Sequence, residues 1–361
     1  MRCELATGVK GNLDPGTGAS IYAPFPYDAA LLYDFRLANA LNAKDTTEED
    51  NRVLKGLVDA LRGIRDQPNK NGGTVGAPVP YAAILKADGD RMGKLLAKAK
   101  SANDSRSISQ ALHGFASAVR GIVREYRGHA VYSGGDDVLA LLPLDQAVPC
   151  AHRLAESFAE RMAGIANQLD LEKKDWPSLS VGLGIGHLME PLGSLRARAD
   201  RAETVAKGNG LSVDAQRNAL SIQLGIRSGA EYSWRAQWAD AEAFAHLDRF
   251  KRAFQQAELS SRVPYDLREI ARRLGRLDDW TEESGSPDQA RAETVKGIRR
   301  SEVARMLERA GTEGGNKPIL PDLYDLIRRS AAEQSLNVLA DTLIIARWLS
   351  ARTAADLGDP T

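Results

Sequence analysis

Two stretches decide the fold: YAAILKADGDRMG at residues 81–93 and HAVYSGGDDVLALLP at residues 129–143. The first begins with an apolar run typical of a buried strand and ends in the acidic sequence DGD. The second contains two apolar runs joined by Gly-Gly-Asp, which predicts a β-hairpin. Between them, apolar residues recur at helical spacing over residues 107–126. The order is therefore strand, helix and hairpin.

The pattern continues on the C-terminal side of the hairpin. A helix is predicted over residues 145–169, a strand over 178–187, a helix over 192–207 and a strand over 218–224. The first part of this order is the β-α-β-β-α-β unit of ferredoxin-like folds. We therefore predict an α+β fold, with an antiparallel sheet and helices packed on one face.

Loop-forming composition marks the domain boundaries. The sequence DQPNKNGGTVGAPVP at residues 66–80 is rich in Gly, Pro and Asn, which is typical of a linker. From about residue 234 onward, helical patterns are separated by Pro, Gly or acidic turns. We predict an irregular and helical N-terminal segment over residues 1–79, the α+β domain over 80–233 and an all-helical C-terminal domain over 234–361.

Composition excludes several classes of protein. The 361 residues include 48 Lys and Arg against 48 Asp and Glu, so no global basic field attracts nucleic acid. The only cysteines, Cys3 and Cys150, cannot build a disulfide framework or a four-cysteine zinc site. No apolar run is long enough for a membrane span, and the first residues lack the apolar core of a signal peptide. We expect a cytoplasmic protein with no membrane partner.

Three aspartates are the candidate catalytic residues. Asp88 ends the first predicted strand, and Asp136 and Asp137 lie at the hairpin turn. In the split β-α-β-β-α-β unit this strand and the hairpin are neighbours, so we expect the three carboxylates to converge. Clustered carboxylates repel unless a cation neutralises them or one stays protonated. Hard oxygen ligands suit Mg²⁺ or Mn²⁺, and two such ions can clamp a phosphoryl transfer.

The residues around this cluster suit a phosphate group. Gly134 and Gly135 have no Cβ, so a phosphate can approach the backbone, and Ser133 offers a hydroxyl donor. Lys207 ends a predicted helix, where it either reaches a triphosphate or only caps the helix. A Gly-Gly-Asp-Asp sequence alone is most often a solvated turn. Asp90 is left open between a supporting role near Asp88 and a helix cap.

Several ordered motifs resemble one known family, the large palm-domain subunit of type III CRISPR effector complexes, and most closely its type III-B (Cmr) branch. Such palms are similar to nucleotide cyclases of the GGDEF class and to polymerase palms. The resemblance extends from about residue 20 into the C-terminal helices. It is carried by four stretches, YAAILKADGDRMGKLL, HAVYSGGDDVLALLPLDQA, LSVGLGIGHLMEPLGSLRARADRAETVAKGNG and LSSRVPYDL.

The resemblance implies a function. Members of the family bind ATP at a GGDD palm and join AMP units by 3′–5′ bonds into cyclic oligoadenylate, a second messenger that activates effector nucleases. Synthesis uses two divalent ions, Mg²⁺ or Mn²⁺, and starts when the complex of subunits and guide RNA binds target RNA. Carried over by motif, Asp88 and Asp136 are the main metal ligands beside the Gly89 carbonyl, Asp137 is a further ligand or orients the 3′-hydroxyl, and Ser133, Gly134, Gly135 and Lys207 line the triphosphate site.

Departures from the family pattern limit the expectation. Family members usually carry an N-terminal HD nuclease domain and a first palm, and 361 residues are too few for both. None of the five histidines is followed by Asp, so no HD nuclease activity is expected in this chain. Because two palms together form the family's site for two ATP molecules, cyclisation is expected to need a partner palm or self-association.

Two other functions stay open at the level of sequence. The chain is alternatively a scaffold subunit that binds ATP without catalysis or binds none. A third possibility is a related transferase that joins AMP to another acceptor. Clustered carboxylates favour catalysis, because a pure scaffold has no physical need for them.

Overall fold

A computed structural model describes residues 32–43, 46–69, 73–227, 229–282, 289–312 and 319–358. The chain forms two compact units, residues 1–80 with 352–361, and residues 81–351. In the first unit, helices α1 (Asp34–Leu41) and α2 (Glu48–Arg65) share a small apolar core of Leu37, Leu54 and Leu61. The irregular segment predicted over residues 1–26 lies outside the described residues.

The second unit is built on a six-stranded sheet in the order β2-β3-β1-β4-β5-β6. Strands β4 and β5 are parallel, and the other neighbours are antiparallel. The first four strands have the 2-3-1-4 order of a ferredoxin-like unit, which confirms the predicted α+β fold. The strands are β1 (Tyr81–Asp90), β2 (His129–Gly134), β3 (Asp137–Pro143), β4 (Ser178–His187), β5 (Ala219–Gly225) and β6 (Glu231–Gln237).

Helices cover both faces of this sheet, although the sequence predicted helices on one face. Helices α4 and α5 cover one face, where Phe115 and Phe158 pack edge to face, and α6 covers the other. Within the described part of the chain, no helix is long and apolar enough to cross a membrane. The helices are α3 (Met92–Lys98), α4 (Ala102–Glu125), α5 (Leu144–Gln168), α6 (Leu192–Lys207), α7 (Ala241–Gln255), α8 (Val263–Glu282), α9 (Gln289–Thr312), α10 (Pro321–Glu333) and α11 (Leu336–Ser350).

Glycines in β4 allow α6 to lie directly on the sheet. A Cβ on Gly182 would lie 2.1 Å from the backbone nitrogen of Glu203, and one on Gly184 would lie 2.4 Å from that of Ala199. Glycine in a strand marks such a close approach of backbone to backbone. Since alternate residues of a strand face opposite sides, the even-numbered residues of β4 define the α6 face of the sheet.

We expect Gly182→Ala to lower the free energy of unfolding by about 1–3 kcal/mol, because the new methyl group overpacks the contact with α6. Gly193→Ala in the first turn of α6 is the matched control, since a Cβ there meets no atom within 4 Å. Alanine is also the better helix former, so the control is expected to be neutral or stabilising. Urea unfolding measures both. Equal stabilities of the two variants would contradict the close approach.

The C-terminal helices belong to the same compact unit as the sheet. Sequence patterns placed the start of a separate helical domain at residue 234, but β6 continues to Gln237. Tyr232 and Trp234 alternate with exposed residues and are buried, which is the period of a strand. Helix α11 is buried along most of its length and packs on β6 and α7. Helix α11 therefore adds to the core of the sheet, while α9 packs against α8 and α10.

Candidate active site

Strand pairing brings the predicted carboxylates together at one end of the sheet. Ala87 pairs with Val138 across β1 and β3, so the next residue of β1, Asp88, lies beside Asp137. Partial burial and the charges of the nearby Asp88 and Asp136 carboxylates raise the pKa of Asp137. The structure therefore places these acids in electrostatic contact.

Asp136 is held at the turn against Gly89. A Cβ on Gly89 would lie 2.6 Å from the Cβ of Asp136 and 2.7 Å from its Oδ2 atom. Any larger residue at position 89 would displace the aspartate, so this glycine is required sterically. Burial raises the pKa of Asp136, and the charge of Asp88 raises it further. All three predicted carboxylates thus interact at the end of β1.

Lys207 neutralises part of this charge. Its Nζ atom lies 2.9 Å from Oδ2 of Asp88 and 2.5 Å from Oε1 of Glu203, one helical turn earlier in α6. Burial alone would lower the pKa of Lys207, but its bonds to Glu203 and Asp88 outweigh that effect and raise it. The helix ends at Gly208, which adopts a positive φ of 62°. Lys207 is therefore held at the carboxylates and does not only cap α6.

Two residues of this charge network were missed from the sequence. Glu203 is only 6% exposed, and Lys86 lies 2.8 Å from Asp200 and 3.7 Å from Glu203. Their spacing carried a signal, because Glu203 precedes Lys207 by one helical turn and Lys86 precedes Asp88 by two residues on the same face of a strand. The network supports Lys207 in its position.

Asp90 is a buried structural carboxylate. It is 0% exposed and accepts hydrogen bonds from the Ser178 hydroxyl at 2.9 Å, the Ser180 hydroxyl at 2.8 Å and the Asn218 backbone N–H at 3.0 Å. Arg217 lies 3.5 Å from the same group. The cap alternative is wrong, because α3 has Arg91 at its N-cap position and no side-chain cap bond. Asp90 joins the end of β1 to β4 and to the segment before β5.

The turn residues differ in what they offer a ligand. The Ser133 hydroxyl, expected at the triphosphate, donates to the carbonyl of Ala116 in α4 at 2.7 Å. The space beside Gly134 is filled by the phenol of Tyr132, whose oxygen would lie 2.2 Å from a Cβ at that position. Gly135 has a φ of 67°, and a Cβ there meets no atom within 4 Å. The open approach to the backbone is therefore at Gly135.

The donor set suits a hard divalent cation. Carboxylates whose pKa values are raised by burial and mutual repulsion are stabilised by added positive charge. Among the described residues, however, no group of three or more His, Cys, Asp or Glu side chains is already arranged to hold a metal ion. The Lys207 ammonium group is the cation that contacts Asp88. A metal ion bound at Asp88 would share this carboxylate with Lys207.

Asp137→Asn is expected to stabilise the fold at neutral pH and not in acid. Since the folded state raises the pKa of Asp137, it binds a proton more readily than the unfolded chain does. The contribution of Asp137 to wild-type stability therefore falls as pH rises from 3.8, its ordinary pKa, through the raised pKa. The variant escapes this loss, by less than about 1 kcal/mol because the group is partly screened by water. Thermal unfolding from pH 3 to 8 tests this, and a constant difference would contradict it.

A 2-3-1-4 sheet with carboxylates at the end of its first strand and at the following hairpin turn is an arrangement typical of palm domains. Residues 81–221 match the family described as "Cas10/Cmr2, second palm domain". This segment of the chain is therefore similar to that palm family. The match covers all the residues placed in the candidate site.

Known proteins of this kind are considerably longer than the chain. The CRISPR system Cmr subunit Cmr2 of Pyrococcus furiosus is 26% identical over 301 residues, which are 75% of this chain and 32% of the relative. The chain thus spans about a third of the length of this curated relative. Csm1 of T. onnurineus aligns with a TM-score of 0.44 and 18% identity, over 78% of this chain and 41% of that one. The apo type III-B Cmr-beta structure aligns with a TM-score of 0.40 and 14% identity, over 77% and 37%.

Proposed function

We propose that the chain is a nucleotidyltransferase that makes 3′–5′ cyclic oligoadenylate from ATP within an RNA-guided type III-B CRISPR complex. One observation carries the proposal: Asp88, Asp136 and Asp137 come together beside Lys207 at the end of β1 in a Cas10/Cmr2-type palm. The similarity to the Cmr subunit Cmr2 supports the assignment to that branch. The other subunits, guide RNA and target RNA are its proposed partners.

The proposed reaction is attack of the 3′-oxygen of one ATP on the α-phosphorus of another. A new phosphodiester bond forms, and the bond from the α-phosphorus to the leaving pyrophosphate breaks. Asp137 accepts a hydrogen bond from the 3′-hydroxyl and takes up its proton as the new bond forms. Lys207 offsets the negative charge of the phosphates, and Gly135 lets them approach the backbone. Two Mg²⁺ or Mn²⁺ ions bound to Asp88, Asp136 and Asp137 would supply charge neutralisation at the attacking and leaving oxygens. Catalysis then rests on positioning and electrostatics rather than on a protein nucleophile.

The second candidate is a scaffold that binds ATP without turning it over. The ion pair between Lys207 and Asp88 favours this candidate, because it neutralises one of the three acids without a metal ion. A scaffold would bind nucleotide through the same turn and release no pyrophosphate. The two candidates therefore differ in turnover and not in binding.

The test is incubation of the full chain with ATP and MgCl₂, alone and together with the other effector subunits, guide RNA and target RNA. Pyrophosphate release measures turnover, and mass spectrometry identifies the product. Cyclic oligoadenylate formed with the partners and target RNA supports the proposal. An AMP adduct of another acceptor would identify the related transferase, and ATP binding without product in every mixture would identify the scaffold.

A further inference from the structure

We propose that the phenol of Tyr132 donates a hydrogen bond to a phosphate of the bound nucleotide. The proposal rests on the proposed function, since it assigns a further nucleotide-binding residue to the same site. Three observations support it: a β-bulge in β2 sets the direction of the side chain, the phenol lies above Gly134, and the neighbouring donors Ser133 and Lys207 already contact other protein groups.

A β-bulge in β2 turns Tyr132 toward the carboxylates. Ala130 pairs with Ala140, but Leu139 pairs with Tyr132, so Val131 is the extra residue of the ladder. Leu139 packs against the cluster that includes Leu195 of α6, which places it on the α6 face. Tyr132 therefore shares the face of Lys86 and Asp88. In an uninterrupted ladder it would pair with Val138, whose side chain is buried on the opposite face.

The phenol lies directly over the first glycine of the turn. Its oxygen occupies the space that a side chain at Gly134 would need, 2.2 Å from the position of a Cβ. Gly134 of β2 pairs with Asp137 of β3, so the phenol oxygen lies one strand away from Asp137. The Tyr132 residue is 55% exposed, and its hydroxyl forms no hydrogen bond with any residue that the structure describes. An exposed donor is thus aimed at the place where a nucleotide's phosphates would lie.

The other side-chain donors at the turn are already engaged. The Ser133 hydroxyl donates to Ala116 on the α4 side, and Lys207 is shared between Asp88 and Glu203. A triphosphate beside three carboxylates needs hydrogen-bond donors as well as cations, and a donor to a charged oxygen contributes more than one to a neutral acceptor. Tyr132 supplies the hydroxyl that the sequence suggested at Ser133.

The experiment compares Tyr132→Phe with Tyr126→Phe, which removes a phenol hydroxyl at the C-terminal end of α4, before β2 begins. Steady-state turnover of ATP is measured on the full chain with its partner subunits and target RNA. Affinities of the full chain for ATP, inorganic tripolyphosphate and adenosine are measured in MgCl₂. We expect Tyr132→Phe to raise KM for ATP about tenfold or more with little change in kcat. Tripolyphosphate affinity should fall by the same factor, and adenosine affinity should not change.

Every other pattern overturns the inference. If Tyr132→Phe binds ATP and tripolyphosphate as tightly as the wild type does, the hydroxyl does not contact the phosphates. This conclusion would hold even if Tyr132→Ala, which also lacks the ring, binds ATP more weakly. Weaker adenosine binding with intact tripolyphosphate binding would assign Tyr132 to the base instead. If the wild-type chain turns over ATP and Tyr132→Phe equals it, only this inference fails. If the wild type neither binds nor turns over ATP, the proposed function fails with it.

Discussion

Asp136→Asn is expected to reduce ATP turnover by at least about 100-fold, the scale seen when one preorganised group that stabilises a transition state is removed. The change keeps the shape of the side chain and its place against Gly89 but removes its negative charge. Without that charge, the site loses one of three carboxylates that would hold the divalent cations. The measurement is pyrophosphate release under the conditions that give maximal wild-type activity.

The fold of this variant is expected to survive. Burial raises the pKa of Asp136, so the charged form is disfavoured in the folded state and a neutral amide is tolerated. Asp170→Asn serves as the matched control, because Asp170 is exposed at a positive φ of 52°, a conformation that asparagine also adopts readily. An Asp136→Asn variant that folds and keeps more than a third of wild-type turnover would contradict the assigned role.

Asp90→Ala is expected to lower the free energy of unfolding by about 3 kcal/mol or more, since each buried donor left without an acceptor costs about 1–3 kcal/mol. The carboxylate is 0% exposed, and its loss leaves the hydroxyls of Ser178 and Ser180 without their acceptor. It also removes the acceptor of the Asn218 backbone N–H. Urea unfolding measures the loss against Asp248→Ala in α7, whose side chain is 58% exposed, as control. A loss below about 1 kcal/mol would show that these hydrogen bonds do not hold the strand ends together.

The same substitution links stability to the site. The backbone N–H of Arg217 donates to the carbonyl of Lys207 at 3.0 Å, and the next residue, Asn218, donates to Asp90. Asp90 therefore secures the segment that follows α6 and the position of Lys207 at Asp88. Turnover by Asp90→Ala at a temperature where it stays folded should fall, although Asp90 contacts no substrate in the proposed reaction.

Local pattern predicted the elements of the site well, because its signals lie within a few residues of each other. The DGD end of β1, the Gly-Gly-Asp turn and the helix that ends at Lys207 are each encoded by neighbouring residues, and all three elements are found. Strand β6 was not predicted from the sequence. The alternation of Tyr232, Trp234 and Ala236 is short and adjoins a long helical stretch, so its period was not distinguished from that of a helix.

The sequence alone predicted the ferredoxin-like sheet and the end of the sheet at which the acids meet. Local periodicity sets the order of strands, helices and turns along the chain, and that order is typical of this fold. Three further features depended on contacts between residues distant in sequence. They are the position of the Tyr132 phenol at the turn, the burial of Asp90 and the ion pair between Lys207 and Asp88. One bulged residue, Val131, reverses the direction of Tyr132, and the glycines of β4 set the distance to α6. Such shifts arise from packing between chain segments far apart in sequence, where local periodicity carries no information.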